Sequence, residues 1–146
     1  MTGLGVVTPL GLNMDALWSN LLAGRCGVDR ITHFDPSHHA TQIAAEVREF
    51  DPIPAFPSPR DARRSDRFAQ FGIHAAWQAL VDSGLDLEKI DRDEVGAFIG
   101  SGIGGLYTTE EQHKILLNRG PGRLSPFMIP MLILNMASGL FSMFYK

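Results

Sequence analysis

The stretch from Ser58 to Ser83 constrains the fold more than any other part of this chain. Ser58 followed by Pro59 is an N-cap and first-turn pair. Helical pattern runs from there to Ser83, either unbroken or interrupted near Ser65-Asp66, where Asp66 can cap a second helix. Phe68, Phe71, Gly72, Ala75, Ala76, Ala79 and Leu80 recur at helical spacing and form the expected buried face. Glycine and alanine dominate that face, so another element can approach the helix closely. A helix built to be covered needs a folded body around it. The chain has 146 residues, 45% of them apolar and 20% charged, which excludes disorder and leaves room for one hydrophobic core.

The elements on either side follow from local signals. Thr2 to Val7 reads as the end of a strand entering a glycine-containing turn. Asn13 caps a helix whose stripe is Met14, Leu17, Trp18, Leu21 and Leu22, and Gly24 stops it. Residues 25–41 read as loop, Gln42 to Val47 as a short strand, and 51–59 as a proline-restrained extended connector. Gly84 ends the long helix. Val95 to Ile99 reads as a strand, followed by the turn Gly100-Ser-Gly-Ile-Gly-Gly105. Thr108-x-x-Glu111 has the pattern of a capping box, and Gly120-Pro121 stops the helix after it. A last helix is expected after Pro130. Helix and strand in alternation make the chain α/β.

Composition narrows the function classes. A net charge of −3 and a pI of about 5.9 argue against a nucleic-acid partner. Cys26 is the only cysteine, which excludes an intramolecular disulfide framework and a multi-cysteine zinc site. It follows a helix C-terminus, whose dipole disfavours a thiolate while Arg25 favours one, and it is expected to be structural or incidental. His33, His38, His39, His74 and His113 show no metal-ligand spacing. The start lacks the basic region of a signal peptide. Phe127 to Phe144 is uncharged and long enough to span a membrane, but Pro130, Asn135, Ser138, Gly139 and Ser142 interrupt it. A buried or interface helix is expected there, with no membrane span.

Two motifs have competing readings. Gly100-x-Gly102-x-x-Gly105 matches a dinucleotide fingerprint, but the acid such folds place about 20 residues on is missing. A tight turn with close backbone packing is the better reading. Arg60, Arg63, Arg64 and Arg67 fall at i, i+3, i+4 and i+7, so on a continuous helix they share one face. From the residues alone, that face fits either an acidic partner or plain solvation.

Taken together, Thr2-Gly-Leu-Gly-Val-Val-Thr-Pro-Leu-Gly11, Leu22-Ala-Gly24, the arginine-rich Ser58–Asp66 segment, Gly100–Gly105 and Ser125-Pro-Phe127 with Asn135-Met136 resemble one family in order. It is the β-ketoacyl-[acyl-carrier-protein] synthases, most like the elongating enzymes of bacterial fatty-acid synthesis. The resemblance covers essentially the whole chain and implies a thiolase-like fold, two α/β halves layered αβαβα. Residues 1–146 would be an incomplete N-terminal part of it, in a cytoplasmic homodimer. The implied reaction is a decarboxylating Claisen condensation between an acyl thioester and malonyl on acyl carrier protein. It uses no metal and no organic cofactor beyond the carrier's phosphopantetheine arm. The family's nucleophilic cysteine, two histidines and a lysine lie downstream of these residues, so no catalytic residue is expected here. Cys26 does not inherit the nucleophile's role, and the isolated chain is expected to be inactive and marginally stable.

The resemblance also implies site residues. Ile103 matches the isoleucine that gates the acyl pocket. Met128 matches a position, usually phenylalanine, that reaches the partner subunit's pocket. Arg60, Arg63 and Arg64 match basic positions that meet the acidic carrier protein; Arg67 has no such match. Leu134 and Lys146 depart from the family pattern. A polyketide-type ketosynthase, or a non-catalytic binding or structural homologue, is the alternative.

Overall fold

The structure is a computed structural model describing residues 1–145; Lys146 lies outside the described residues. In chain order the main elements are α1 (Met14–Leu22), β1 (Val28–Arg30), β2 (Ile43–Ala45), α2 (Pro59–Arg63), α3 (Arg67–Ser83), α4 (Leu106–Arg119), α5 (Met128–Leu132) and α6 (Met136–Tyr145). The expected caps are in place. Asn13 Oδ1 accepts from the Ala16 N–H at 2.9 Å, Ser58 Oγ from the Asp61 N–H at 3.3 Å, and Asp66 Oδ1 from the Phe68 N–H at 3.3 Å. Gly84 closes α3 in the left-handed conformation, φ 65°, which costs glycine least.

The organising element is α3, and its small residues do what their size allows. A Cβ added to Gly3 would lie 2.0 Å from the Ala79 carbonyl oxygen, and one on Gly5 the same distance from that of Ala75. The N-terminal segment therefore lies backbone against backbone on α3. Further along, Gly72 faces the side chains of Ile99 and Ala137. The deepest residues of α3 are Ala69, Ile73 and His74, not the face read from periodicity, whose members are half-buried. The reason is that α3 is covered from several sides. Phe50 packs edge-on against His74 and Phe71, while α6 brings Ala137, Leu140, Phe141 and Phe144 to the core of Ala55, Phe56, Ala62, Ala69 and Ile73.

Three expectations about strands and helices are corrected. β1 lies inside residues 25–41, read as loop, and pairs antiparallel with β2 in the register Val28↔Ala45, Asp29↔Ala44, Arg30↔Ile43. Its Val-Asp-Arg sequence is exposed throughout, so no apolar pattern announced it. Conversely, residues 2–7 and 95–99 carry no β-ladder among the described residues, because a strand is defined by a partner backbone. Side chains from helices take their backbone groups instead. Leu4 N–H donates to Asp82 at 2.8 Å, Val6 N–H to Gln78 at 3.2 Å, and Ile99 N–H to Ser138 Oγ at 2.9 Å. Finally, the apolar tail forms two helices. Pro130 sits within the first turn of α5, where an N–H has no intrahelical acceptor to lose, and the second helix begins at Met136. No helix of the described residues is long and apolar enough to cross a membrane.

Candidate functional site

The arginine segment is an elbow, not one helix. Asp66 is extended, φ −68° and ψ 159°, and separates α2 from α3. Arg60, Arg63, Arg64 and Arg67 therefore do not share one continuous face, and each meets different surroundings. Arg67 turns inward: its Nη2 donates to the Val47 carbonyl at 2.7 Å, and its guanidinium lies 4.8 Å from the centre of the Phe71 ring. Arg64 is half-buried, with its guanidinium 4.0 Å above the Phe127 ring, a cation–π contact worth about 0.5–2 kcal/mol. Arg60 and Arg63 are exposed and enter no ion pair among the described residues. The elbow beneath them is tied down. Gln70 Nε2 donates to the carbonyls of Ala62 at 2.9 Å and Ser65 at 3.1 Å.

The glycine-rich turn is held at both flanks but packs closely only in its second half. Just before it, the Ile99 N–H donates to Ser138 Oγ at 2.9 Å and the Ile99 carbonyl accepts from that hydroxyl at 3.3 Å. Gly105 N–H donates to the Leu132 carbonyl at 2.9 Å. A Cβ on Gly104 would come within 2.5 Å of the Leu132 carbonyl oxygen, and one on Gly105 within 2.3 Å of that of Met131. Gly104 also has φ 79°, a conformation that favours glycine. At the other end, Gly100 and Gly102 have nothing within 4 Å of an added Cβ. Between these ends stands Ile103, 67% exposed. Close backbone packing, rather than a nucleotide cradle, thus accounts for the second half of the motif. The turn's anchor is the C-terminal end of α5, and the half-buried Met128 is at the N-terminal end of the same helix. Five residues of α-helix measure about 7.5 Å, so Ile103, Met128 and the Arg64-stacked Phe127 belong to one connected assembly.

The start of α4 differs from the capping box read in the sequence. Its N-cap is Gly105, which has no side chain to offer. Thr108 lies inside the first turn, 5% exposed, and Glu111 pairs with Lys114 at 2.7 Å. The acceptor for this helix end comes from elsewhere in the chain. Asp66 Oδ2 accepts the Thr108 N–H at 3.0 Å and the Thr108 hydroxyl at 2.5 Å. Sequence reading missed this contact, and its one signal was the glycine at the N-cap position. The Arg64–Phe127 stack had no sequence signal.

The remaining candidates stay apart from this assembly. Cys26 is exposed and lines a cavity of about 360 Å³ between the Thr8–Leu12 turn and the β1–β2 hairpin; no histidine lines it. His74 is buried between Phe50 and Trp77, and its Nδ1 has no hydrogen-bond partner. Burial pushes the His74 imidazole below its usual pKa of 6.5, against weaker opposition from the Pro52 carbonyl and Asp51. Among the described residues no three His, Cys, Asp or Glu side chains converge as metal ligands would.

Residues 1–146 match the family model described as the β-ketoacyl synthase N-terminal domain. The chain belongs to the β-ketoacyl synthase family. It is 49% identical over 145 residues to 3-oxoacyl-[acyl-carrier-protein] synthase 2 of Coxiella burnetii, covering 99% of this chain and 35% of that one. It is 47% identical over 140 residues to the enzyme of the same name from Synechocystis sp., covering 96% of this chain and 33% of that one. It therefore spans about a third of the length of these curated relatives. Among solved structures it resembles a ketosynthase bound to the hexaketide and complexed with its type II polyketide acyl-carrier protein. That match has a TM-score of 0.79 and 26% identity, and covers 99% of this chain and 37% of that chain. The mixed helix and sheet described above is thus the N-terminal portion of the thiolase-like ketosynthase fold.

Proposed function

We propose that this synthase segment serves a 3-oxoacyl-[acyl-carrier-protein] synthase of fatty-acid elongation, supplying a carrier-docking face and part of the acyl-pocket wall. The observation that carries the reading is the stack of Arg64 on Phe127. It joins a basic elbow directly to the helix that holds Met128 and anchors the turn of Ile103. In this reading Arg60 and Arg63 present free positive charge to an acidic carrier protein, while Arg64 braces the elbow against the pocket helix. Such charges speed encounter and set orientation more than they add affinity. Ile103, stiff at its β-branch and flanked by glycine, gates the acyl chain, and Met128 offers an adaptable apolar surface across a homodimer. The condensation is carried out by residues beyond these 146, on acyl and malonyl thioesters. Its only prosthetic arm is the carrier's phosphopantetheine. A cytoplasmic location fits a pathway served by a diffusing carrier.

The 47–49% identity to enzymes named for the fatty-acid reaction, against 26% to the polyketide ketosynthase, supports elongation of fatty acids. The test is charge reversal in the intact synthase. Arg60→Glu with Arg63→Glu is expected to raise KM for carrier-bound substrate about tenfold, given several weak exposed charges acting together. Turnover of small thioester mimics should stay near wild type. Unchanged KM at low salt would reduce the elbow to a solvated surface.

A further inference from the structure

Asp66 makes contacts that the docking and pocket reading above does not use. It is 5% exposed, and it stands between Arg64 and Arg67 without an ion pair to either. Its two oxygens are divided between two helices 42 residues apart in sequence. Oδ1 accepts the Phe68 N–H in the first turn of α3, and Oδ2 accepts the N–H and hydroxyl of Thr108 in the first turn of α4. Both helix ends carry partial positive charge and N–H groups without intrahelical acceptors, and a single buried carboxyl group accepts one such N–H from each. The residue that would normally cap α4 is Gly105, which cannot.

We propose that Asp66 is a positioning residue for the Ile103 turn. This inference rests on the functional reading above. The turn ends at Gly105, three residues before Thr108, and α4 grows directly from it. Holding Thr108 therefore holds the closely packed end of the turn, while Gly100 and Gly102 border open space at the other. The same carboxylate fixes the elbow that carries Arg60, Arg63 and Arg64. Asp66 thereby sets the distance between the docking arginines and the gate. Both oxygens are needed: an amide has only one acceptor oxygen, so Asn at this position leaves one helix end facing an NH₂ donor.

The experiment uses the intact synthase with short and long acyl primers on carrier protein. Asp66→Asn is expected to reduce discrimination between the two primers, read as the ratio of their kcat/KM values, by about fivefold, a partial version of the losses that misplaced site groups cause. Amide hydrogen exchange at Ile103 to Thr108 should quicken in the same variant. Asn13→Ala, which removes the cap of α1 away from the turn, serves as the control for a merely structural loss. It should leave both the ratio and the exchange unchanged. Should Asp66→Asn fail to fold, Thr108→Val removes only the hydroxyl contact and should shift the ratio in the same direction, while Thr108→Ser restores it. An unchanged ratio in folded Asp66→Asn or Thr108→Val, or an equal change in Asn13→Ala, overturns the positioning role. Absence of condensation by the wild-type protein with either primer overturns the functional reading itself, and the inference with it.

Discussion

Two glycine-bearing segments of this chain meet their neighbours in opposite ways. At Gly3 and Gly5 the absence of a side chain is used up by contact: each glycine abuts the α3 backbone, and there is no space for a methyl group. In the Gly100–Gly105 turn only the last two glycines are used that way, against α5. Gly100 and Gly102 border open space. The first segment is scaffold along its whole length. The second is closely packed at one end and open at the other, with an exposed isoleucine between. Glycine content alone does not separate a close-packed joint from an open one; what lies opposite each missing Cβ does.

The contrast is sharpest under substitution. Gly5→Ala should be the most damaging change, because its Cβ would meet backbone atoms that cannot rotate away. A loss of about 3 kcal/mol or more is expected in denaturant unfolding, at the upper end for overpacking. A loss below about 1 kcal/mol would mean that the N-terminal segment can lift off α3, and the scaffold reading would fall.

The scaffold side also carries a pH dependence that the turn lacks. His74, buried on α3, has its pKa lowered by desolvation, so the folded state favours neutral imidazole while the unfolded chain takes up a proton near pH 6.5. Where the unfolded state binds more protons, stability rises with pH. The contribution is therefore intact above about pH 6.5 and is lost as pH falls toward the lower folded pKa. Melting temperature should drop between about pH 7.5 and about pH 5, and His74→Phe should flatten that dependence. An equal slope in the variant would assign the effect to other groups.

The smallest expected effect on stability is at the open end of the turn. Gly102→Ala meets no atom and requires no left-handed backbone, so unfolding free energy should stay within about 0.5 kcal/mol of wild type. Function should respond differently. If the open glycines allow Ile103 to move, stiffening one of them should lower kcat/KM for long primers about threefold while short primers are little affected. Equal behaviour of both primers would make the open glycines incidental.

Much of this was legible in the sequence, where the governing interactions span a few residues. The caps Asn13, Ser58 and Asp66, the left-handed stop at Gly84 and the small-residue face of α3 each follow from local geometry. The reading of the glycine-rich motif as a closely packed turn holds for Gly104 and Gly105 but not for Gly100 and Gly102, and the ordered set of motifs was enough to place the chain in its family. Tertiary structure decided the rest. A periodic row of arginines became an elbow with two free charges, because Arg64 found Phe127 and Arg67 found the Val47 carbonyl. Thr108 ceased to be a cap and became the ligand of Asp66. The apolar stripe of α3 indicated that the helix is covered but not which residues lie deepest, since that depends on what packs on each side. The physical reason is common to all three. A side chain's propensity acts through its own neighbours along the chain. Its contact partner is set by which distant segment folding brings within a few ångströms, and spacing along a single sequence does not encode that.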